Sequence, residues 1–155
     1  RDSRRHYKDV ITPTSLIPKL VFSGFEKACH FEYKFDSKTE KDFAYILEND
    51  STVLKWLRPA PNQFRIYWAK NSKQYYPDFV VETASSLYLV ETKAADQLNA
   101  ADVQDKKNAA LQYCKYATAY TIANRGKKWE YLLIPHHEVQ QNTTLDFLVS
   151  RYQEH

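Results

Sequence analysis

The 155-residue sequence predicts an α/β domain, one mixed sheet flanked by helices. Three observations carry that expectation. Short runs of β-branched and aromatic residues alternate with segments of helical composition. Two runs, residues 88–90 and 131–134, are apolar at consecutive positions, which suits central strands covered on both faces. The length fits a single domain with one sizeable core, and a composition of 43% hydrophobic and 26% charged residues is that of a globular chain.

Each element has its own signal. Residues 1–36 form an N-terminal extension with a basic start, punctuated by Pro13, Pro18 and Gly24. Within it, "CHFEYKF" (29–35) alternates apolar and polar residues, the period of a half-buried strand. Ser37 followed three residues later by Glu40 reads as a capping box, in which hydroxyl and carboxylate satisfy backbone donors reciprocally. Phe43, Ala44, Ile46 and Leu47 then define one apolar face of a helix over 38–49. Residues 52–57 read as a short strand before a Pro-broken loop, and "FRIYWA" (64–69) as another. Strands follow at 75–82 and 86–93. Residues 102–120, rich in Ala, Leu, Gln and Lys, read as a helix. After a turn at Arg125–Lys128, "WEYLLIP" (129–135) is a strand. The C-terminal segment, 136–155, carries a final helix capped by Asn142 or Thr143. No repeat or low-complexity segment interrupts this order.

Several function classes are excluded. No apolar run is long enough to span a membrane, and no signal peptide is visible. The chain has no Met and begins at Arg1, as expected of a domain cut from a longer protein. A net charge of +3 permits nucleic-acid binding without demanding it. Cys29 and Cys114 are far apart and lack zinc spacing, consistent with a reducing, cytoplasmic setting. The pairs Cys29-His30 and His136-His137 are poor metal chelates, because adjacent strand residues point to opposite faces. Two glycines cannot build a P-loop or a dinucleotide fingerprint. There is no GxSxG elbow either.

One stretch, "YYPDFVVETASSLYLVETKAAD" (75–96), raises a question of charge. Glu91 and Lys93 are two apart and so share a strand face, while Thr92 points away. If the chain turns through Ala84-Ser85, paired residues sum to 169 and Asp78 lies opposite Glu91. Like charges opposed on a sheet cost roughly 0.2–1 kcal/mol when exposed, and more near a core. A divalent cation reverses that sign, since two carboxylates are the hard oxygen donors that Mg²⁺ takes. Lys93 adds a compact positive charge suited to orienting water or stabilising phosphate. A same-face salt bridge between Glu91 and Lys93 is the bland alternative.

"PDF" (77–79) with "ETK" (91–93) resembles the signature of the PD-(D/E)XK nuclease superfamily. The pieces "EKDFAYILE", "VLKWLRPAPNQFRIYW", "YYPDFVVET" and "YLVETKA", preceded by "VFSGFEK" (21–27), resemble more specifically the C-terminal endonuclease domain of type III restriction enzyme Res subunits. The resemblance runs from Ser37 to about Tyr116. It implies a restriction-endonuclease-like αβββαβ core over 37–135 and an Mg²⁺-dependent endodeoxyribonuclease, with Mn²⁺ able to substitute. It implies Asp78 and Glu91 as metal ligands, Lys93 as catalytic lysine and the Thr92 carbonyl as a further ligand. Glu40 resembles the helix glutamate that some members add to the site; its service as capping partner of Ser37 is an equal alternative. Gln112 and Tyr116, one turn apart on a helix, are similar to a motif of RecB-like nucleases, and helix packing explains them as well. Basic groups at Arg1-Arg4-Arg5-Lys8, Lys70-Lys73, Lys106-Lys107 and Arg125-Lys127-Lys128 are candidates for DNA phosphates. The implied partners are double-stranded DNA, a helicase-like ATPase region upstream in the same chain, and a modification methyltransferase. The alternatives are a RecB-like or transposon-associated nuclease, or a non-catalytic DNA-binding or docking domain.

Overall fold

The computed structural model describes residues 2–60, 63–68 and 73–154. Its centre is a five-stranded mixed sheet between helices. In chain order the elements are β1 (Arg4–His6), β2 (Val21–Ser23), α1 (Lys38–Asn49), β3 (Val53–Leu57), β4 (Ile66–Trp68), β5 (Lys73–Tyr75), β6 (Phe79–Thr83), β7 (Ser86–Lys93), α2 (Ala101–Ala123), β8 (Lys128–Pro135), α3 (Leu145–Tyr152) and β9 (Gln153–Glu154). The sheet order is β3-β6-β7-β8-β9. β3, β6 and β7 form an antiparallel meander, and α2 crosses over so that β8 runs parallel to β7. A connection of this length is what parallel pairing requires. No helix among the described residues is long and apolar enough to cross a membrane.

The two faces of the sheet carry separate apolar clusters. Phe79, Val81, Tyr88, Val90, Leu132 and Ile134 pack with α1 and α3. Leu89, Tyr131 and Leu133 pack with Val103, Ala110 and Cys114 of α2. β7 and β8 are therefore covered on both sides, as their unbroken apolar runs predict. α1 begins where expected: the Glu40 N–H donates to Ser37 Oγ at 3.3 Å. Its Phe43, Ala44, Ile46 and Leu47 are all at most 2% exposed. Burial of such side chains is worth about 1.5–3 kcal/mol each for the larger ones.

The N-terminal extension is part of this core. Phe25 meets Trp56 edge-on at 5.2 Å, and Tyr33 stacks on it at 5.0 Å. Lys41 of α1 is buried, with its Nζ donating to the Tyr7 and Asp9 carbonyls at 2.9 and 2.8 Å.

Three local expectations change. Residues 29–35 make no strand; they meet the sheets through the bridge Phe22–Tyr33, through the Cys29 N–H, which donates to the Trp56 carbonyl at 3.0 Å, and through the Tyr33 ring on Trp56. Tyr33 and Phe35 are buried while Glu32 and Lys34 are exposed, so the alternation marks an extended chain lying on the core, without a neighbour to pair along its length. The strand expected over 75–82 is interrupted at 76–78. Tyr75 belongs to the β4–β5 hairpin, and the sheet strand starts at Phe79. Pro77 lacks an N–H for the ladder, which accounts for the break. The last helix is capped not by Asn142 or Thr143 but by Thr144, whose Oγ1 accepts from the Phe147 N–H at 3.2 Å. Its C-terminus turns directly into β9, which covers Tyr131 and Leu132 of β8.

Candidate metal centre

The β6–β7 register decides the geometry. Phe79 pairs with Val90, Val80 with Leu89, Val81 with Tyr88 and Glu82 with Leu87, each pair summing to 169, with Ala84 and Ser85 as the turn. Asp78 stands one residue before β6, so continuing that register brings it opposite Glu91. Glu91 and Lys93 lie on the α2 face with Leu89; Thr92 lies on the α1 face with Val90.

Asp78 is held firmly. Its Oδ2 accepts from the Thr92 N–H at 2.9 Å and from Thr92 Oγ1 at 3.2 Å. A side chain thus takes a donor of β7 at the point where the β6 ladder has ended. Glu91 is only 7% exposed, and its Oε1 is buried with no hydrogen-bond partner. An unsatisfied buried acceptor of this kind costs about 1–3 kcal/mol, and more if charged.

Charge follows from this burial. Desolvation pushes the Glu91 carboxyl well above the usual carboxylate range; the Asp78 charge pushes further, and Lys93 and Lys106 oppose. Asp78 is raised chiefly by desolvation, against the Thr92 N–H, Arg58 and Lys93. Two facing carboxyls, each raised, are relieved by a proton or by a cation.

Glu40 does join the neighbourhood, but its carboxylate is committed. Its Oε1 accepts from the Asp36 N–H at 2.7 Å and pairs with Arg58 Nη2 at 2.8 Å. The reciprocal half of the expected capping box therefore falls on Asp36, one residue before Ser37. Desolvation raises Glu40, Arg58 lowers it and the Asp78 charge raises it, which places Glu40 within electrostatic reach of Asp78. Arg58 also donates to the Asp78 carbonyl at 3.4 Å and to the Lys34 carbonyl at 3.2 Å. Its guanidinium lies over the rings of Phe35 and Phe79, 5.9 and 5.8 Å away. Sequence reasoning missed Arg58. The signal was the one that singled out Asp78: a charge at the end of an apolar strand, beside a proline.

The remaining candidates separate by position. Lys106, early in α2, lies over the Tyr75 ring at 5.8 Å and acts electrostatically on Glu91. Tyr75, also missed, donates its hydroxyl to the Lys106 carbonyl at 3.1 Å. Lys73 is exposed on β5. Lys107 pairs with Glu154 at 2.9 Å and so faces the β9 edge. Gln112 and Tyr116 are exposed; Tyr116 is ten residues, about 15 Å of helix, beyond Lys106. The structure does not bring these two to Asp78 and Glu91. Lys70 and Arg1 lie outside the described residues. The Arg125–Lys128 group is at the opposite end of the sheet: Lys128 pairs with Ser86, whereas Lys93 pairs with Pro135. Lys127 there is bound to Glu82 at 2.7 Å.

Among the described residues no three His, Cys, Asp or Glu side chains cluster closely enough to hold a metal. A cation placed here would be offered two carboxylates, Asp78 and Glu91, with the Thr92 carbonyl and solvent to complete its shell. Such a set suits Mg²⁺, which keeps several waters and uses one or two carboxylates. The orphaned Glu91 Oε1 fits the same ion. Comparison with protein-family models, curated proteins and solved structures returns no significant match.

Proposed function

We propose that this chain is an Mg²⁺-dependent DNA endonuclease domain of the PD-(D/E)XK type, the cleavage module of a type III restriction enzyme acting in the cytoplasm. The observation that carries it is the buried, unpartnered Oε1 of Glu91 opposite Asp78, with Lys93 on the same strand face. The order α1, β3, β6, β7, α2, β8 supports a restriction-endonuclease-like αβββαβ core, with the β4–β5 hairpin inserted after the first strand.

Asp78 and Glu91 would hold the ion. When bound, Mg²⁺ supplies Lewis-acid polarisation of a phosphate oxygen and acidifies water. Thr92 fixes Asp78 through its N–H and hydroxyl, so that one carboxylate is pre-oriented before any ligand arrives. Lys93 would align the attacking water with the scissile phosphorus. As the water oxygen bonds phosphorus its proton passes to solvent, the opposite P–O bond breaks, and the leaving oxygen takes a proton from solvent. The sequence offers no evident base-reading element, so cleavage would fall where the domain is delivered. Delivery belongs to the upstream helicase-like ATPase region and a modification methyltransferase, on double-stranded DNA.

Calorimetric titration with Mn²⁺ tests the site directly. Binding should be present in the parent chain and lost in Asp78→Ala and Glu91→Ala. Lys93→Ala should keep Mn²⁺ binding and the parent circular dichroism but abolish DNA cleavage. Cleavage by Lys93→Ala at the parent rate would remove Lys93 from the mechanism. A folded parent chain that binds no Mn²⁺ would leave a non-catalytic DNA-binding domain as the better reading.

A further inference from the structure

We infer that Arg58 is the positioning residue of this site, and that Glu40 acts through Arg58 instead of on the cation. The inference rests on the metal-site reading above and adds to it a residue and a division of labour. Arg58 ties three pieces of chain together beside Asp78: the start of α1, the extended segment before it and the Pro77–Asp78 bend. Nη2 pairs with Glu40 of α1 and with Asp36 Oδ2 at 3.1 Å; Nη1 donates to the Asp78 carbonyl; Nε donates to the Lys34 carbonyl. The side chain is 15% exposed and sandwiched near Phe35 and Phe79, so its direction is set by packing as well as by charge. Phe79 is the residue after Asp78. The guanidinium thus grips the Pro77–Asp78 bend from its carbonyl side while Thr92 holds the carboxylate of the same residue.

A planar guanidinium with five fixed donors can bridge such a set; an ammonium cannot meet four acceptors in those directions. Glu40 is correspondingly occupied. Its Oε1 already accepts from Arg58 and from the Asp36 N–H. Its negative charge is spent holding Arg58 in place, beside a cleft of about 510 Å³ that Arg58, Tyr76 and Asp78 line. Arg58 directly follows β3, so the strand delivers it to the bend.

The sign of one measurement separates positioning from simple electrostatics. Removing a positive charge beside a cation site should tighten cation binding by Coulomb's law. Removing a positioning residue should loosen it, and supporting residues around metal ligands typically cost 10–100-fold in affinity. In calorimetry on the full 155-residue chain, Arg58→Met should weaken Mn²⁺ by about 10-fold or more. Arg58→Lys should not restore it. Glu40→Gln should weaken Mn²⁺ modestly in the parent and have no effect in the Arg58→Met background. Tighter binding in Arg58→Met, or a Glu40→Gln effect that persists there, would make Glu40 a direct ligand and overturn the inference.

Hydrogen exchange tests the same point without metal. The Thr92 amide, which donates to Asp78, should exchange faster in both Arg58 variants, while the Leu89 and Val90 amides keep their protection. Unchanged Thr92 protection would overturn the inference; loss of protection along all of β7 would assign Arg58 to the fold instead and overturn it equally. If the parent chain binds no Mn²⁺, the nuclease reading fails, and the exchange result still decides the role of Arg58.

Discussion

Glu91 is where stability and chemistry conflict. Its raised pKa means that the folded chain holds its proton more tightly than the unfolded chain does. Stability therefore falls as pH rises from the ordinary carboxylate range through the folded value. Asp78 contributes with the same sign. Asp50 has the opposite one: although burial pushes it up, hydrogen bonds from Thr52 and from the Leu145 N–H hold it low, so its contribution is lost only on acidification below that range. In the absence of divalent cations, the melting temperature should thus rise on going from neutral pH toward about pH 5. Thermal scans with chelator across that interval check this, and Mn²⁺ should reverse the trend at neutral pH. Glu91→Gln should reduce the pH dependence, leaving the share carried by Asp78. It should stabilise the cation-free protein at neutral pH by roughly 1–3 kcal/mol, measured by urea unfolding, while Mn²⁺ binding is lost. A destabilised Glu91→Gln would show that the hydrogen bond from the Asp78 backbone to the carboxylate outweighs the cost of burying it.

At the scale of elements, turn geometry and caps set the site. The two-residue turn at Ala84-Ser85 fixes the β6–β7 register, and a slip of one would put Asp78 and Glu91 on different faces. That much was legible in the sequence, because the hairpin was bounded by alternating and apolar runs on each side. The break at Pro77 was also legible as a proline, but its consequence was not: Tyr75 leaves for a separate hairpin and Asp78 is freed to cap β7 with its side chain. The ends of α3 show a similar division. The choice among Asn142, Thr143 and Thr144 depends on where the chain arrives from β8, which no local pattern records. Two bonds start this helix, Thr144 Oγ1 to the Phe147 N–H and Asp50 Oδ2 to the Leu145 N–H at 2.7 Å. Thr144→Ala should cost about 1 kcal/mol in chemical denaturation, without changing Mn²⁺ binding at the far side of the sheet.

For the whole molecule, the N-terminal extension and the sheet share one core. Phe22 and Phe35 are fully buried, and Phe25 and Tyr33 pack on Trp56. Deleting residues 1–36 would uncover that tryptophan and leave the buried Lys41 ammonium without the two carbonyls that receive it. The truncated chain should lose cooperative thermal unfolding, and its tryptophan emission should shift to the red. A sharp melt with parent-like emission would show that the extension is dispensable.

Local pattern by itself determined the α/β class, the extents of α1 and β7 and the double coverage of β7 and β8; each follows from a period or a cap, and those forces act within a few residues. It offered the opposition of Asp78 to Glu91 only on the condition of a turn at Ala84-Ser85, and the β6–β7 register met that condition. Only the tertiary structure decided that residues 29–35 lie on the core without forming a strand, that Glu40 is bound by Arg58, and that Gln112, Tyr116 and the Arg125–Lys128 group lie away from the carboxylates. Those outcomes depend on which distant segments meet, and the energies that select them come from burial and charge pairing between elements, which spacing along the chain does not encode.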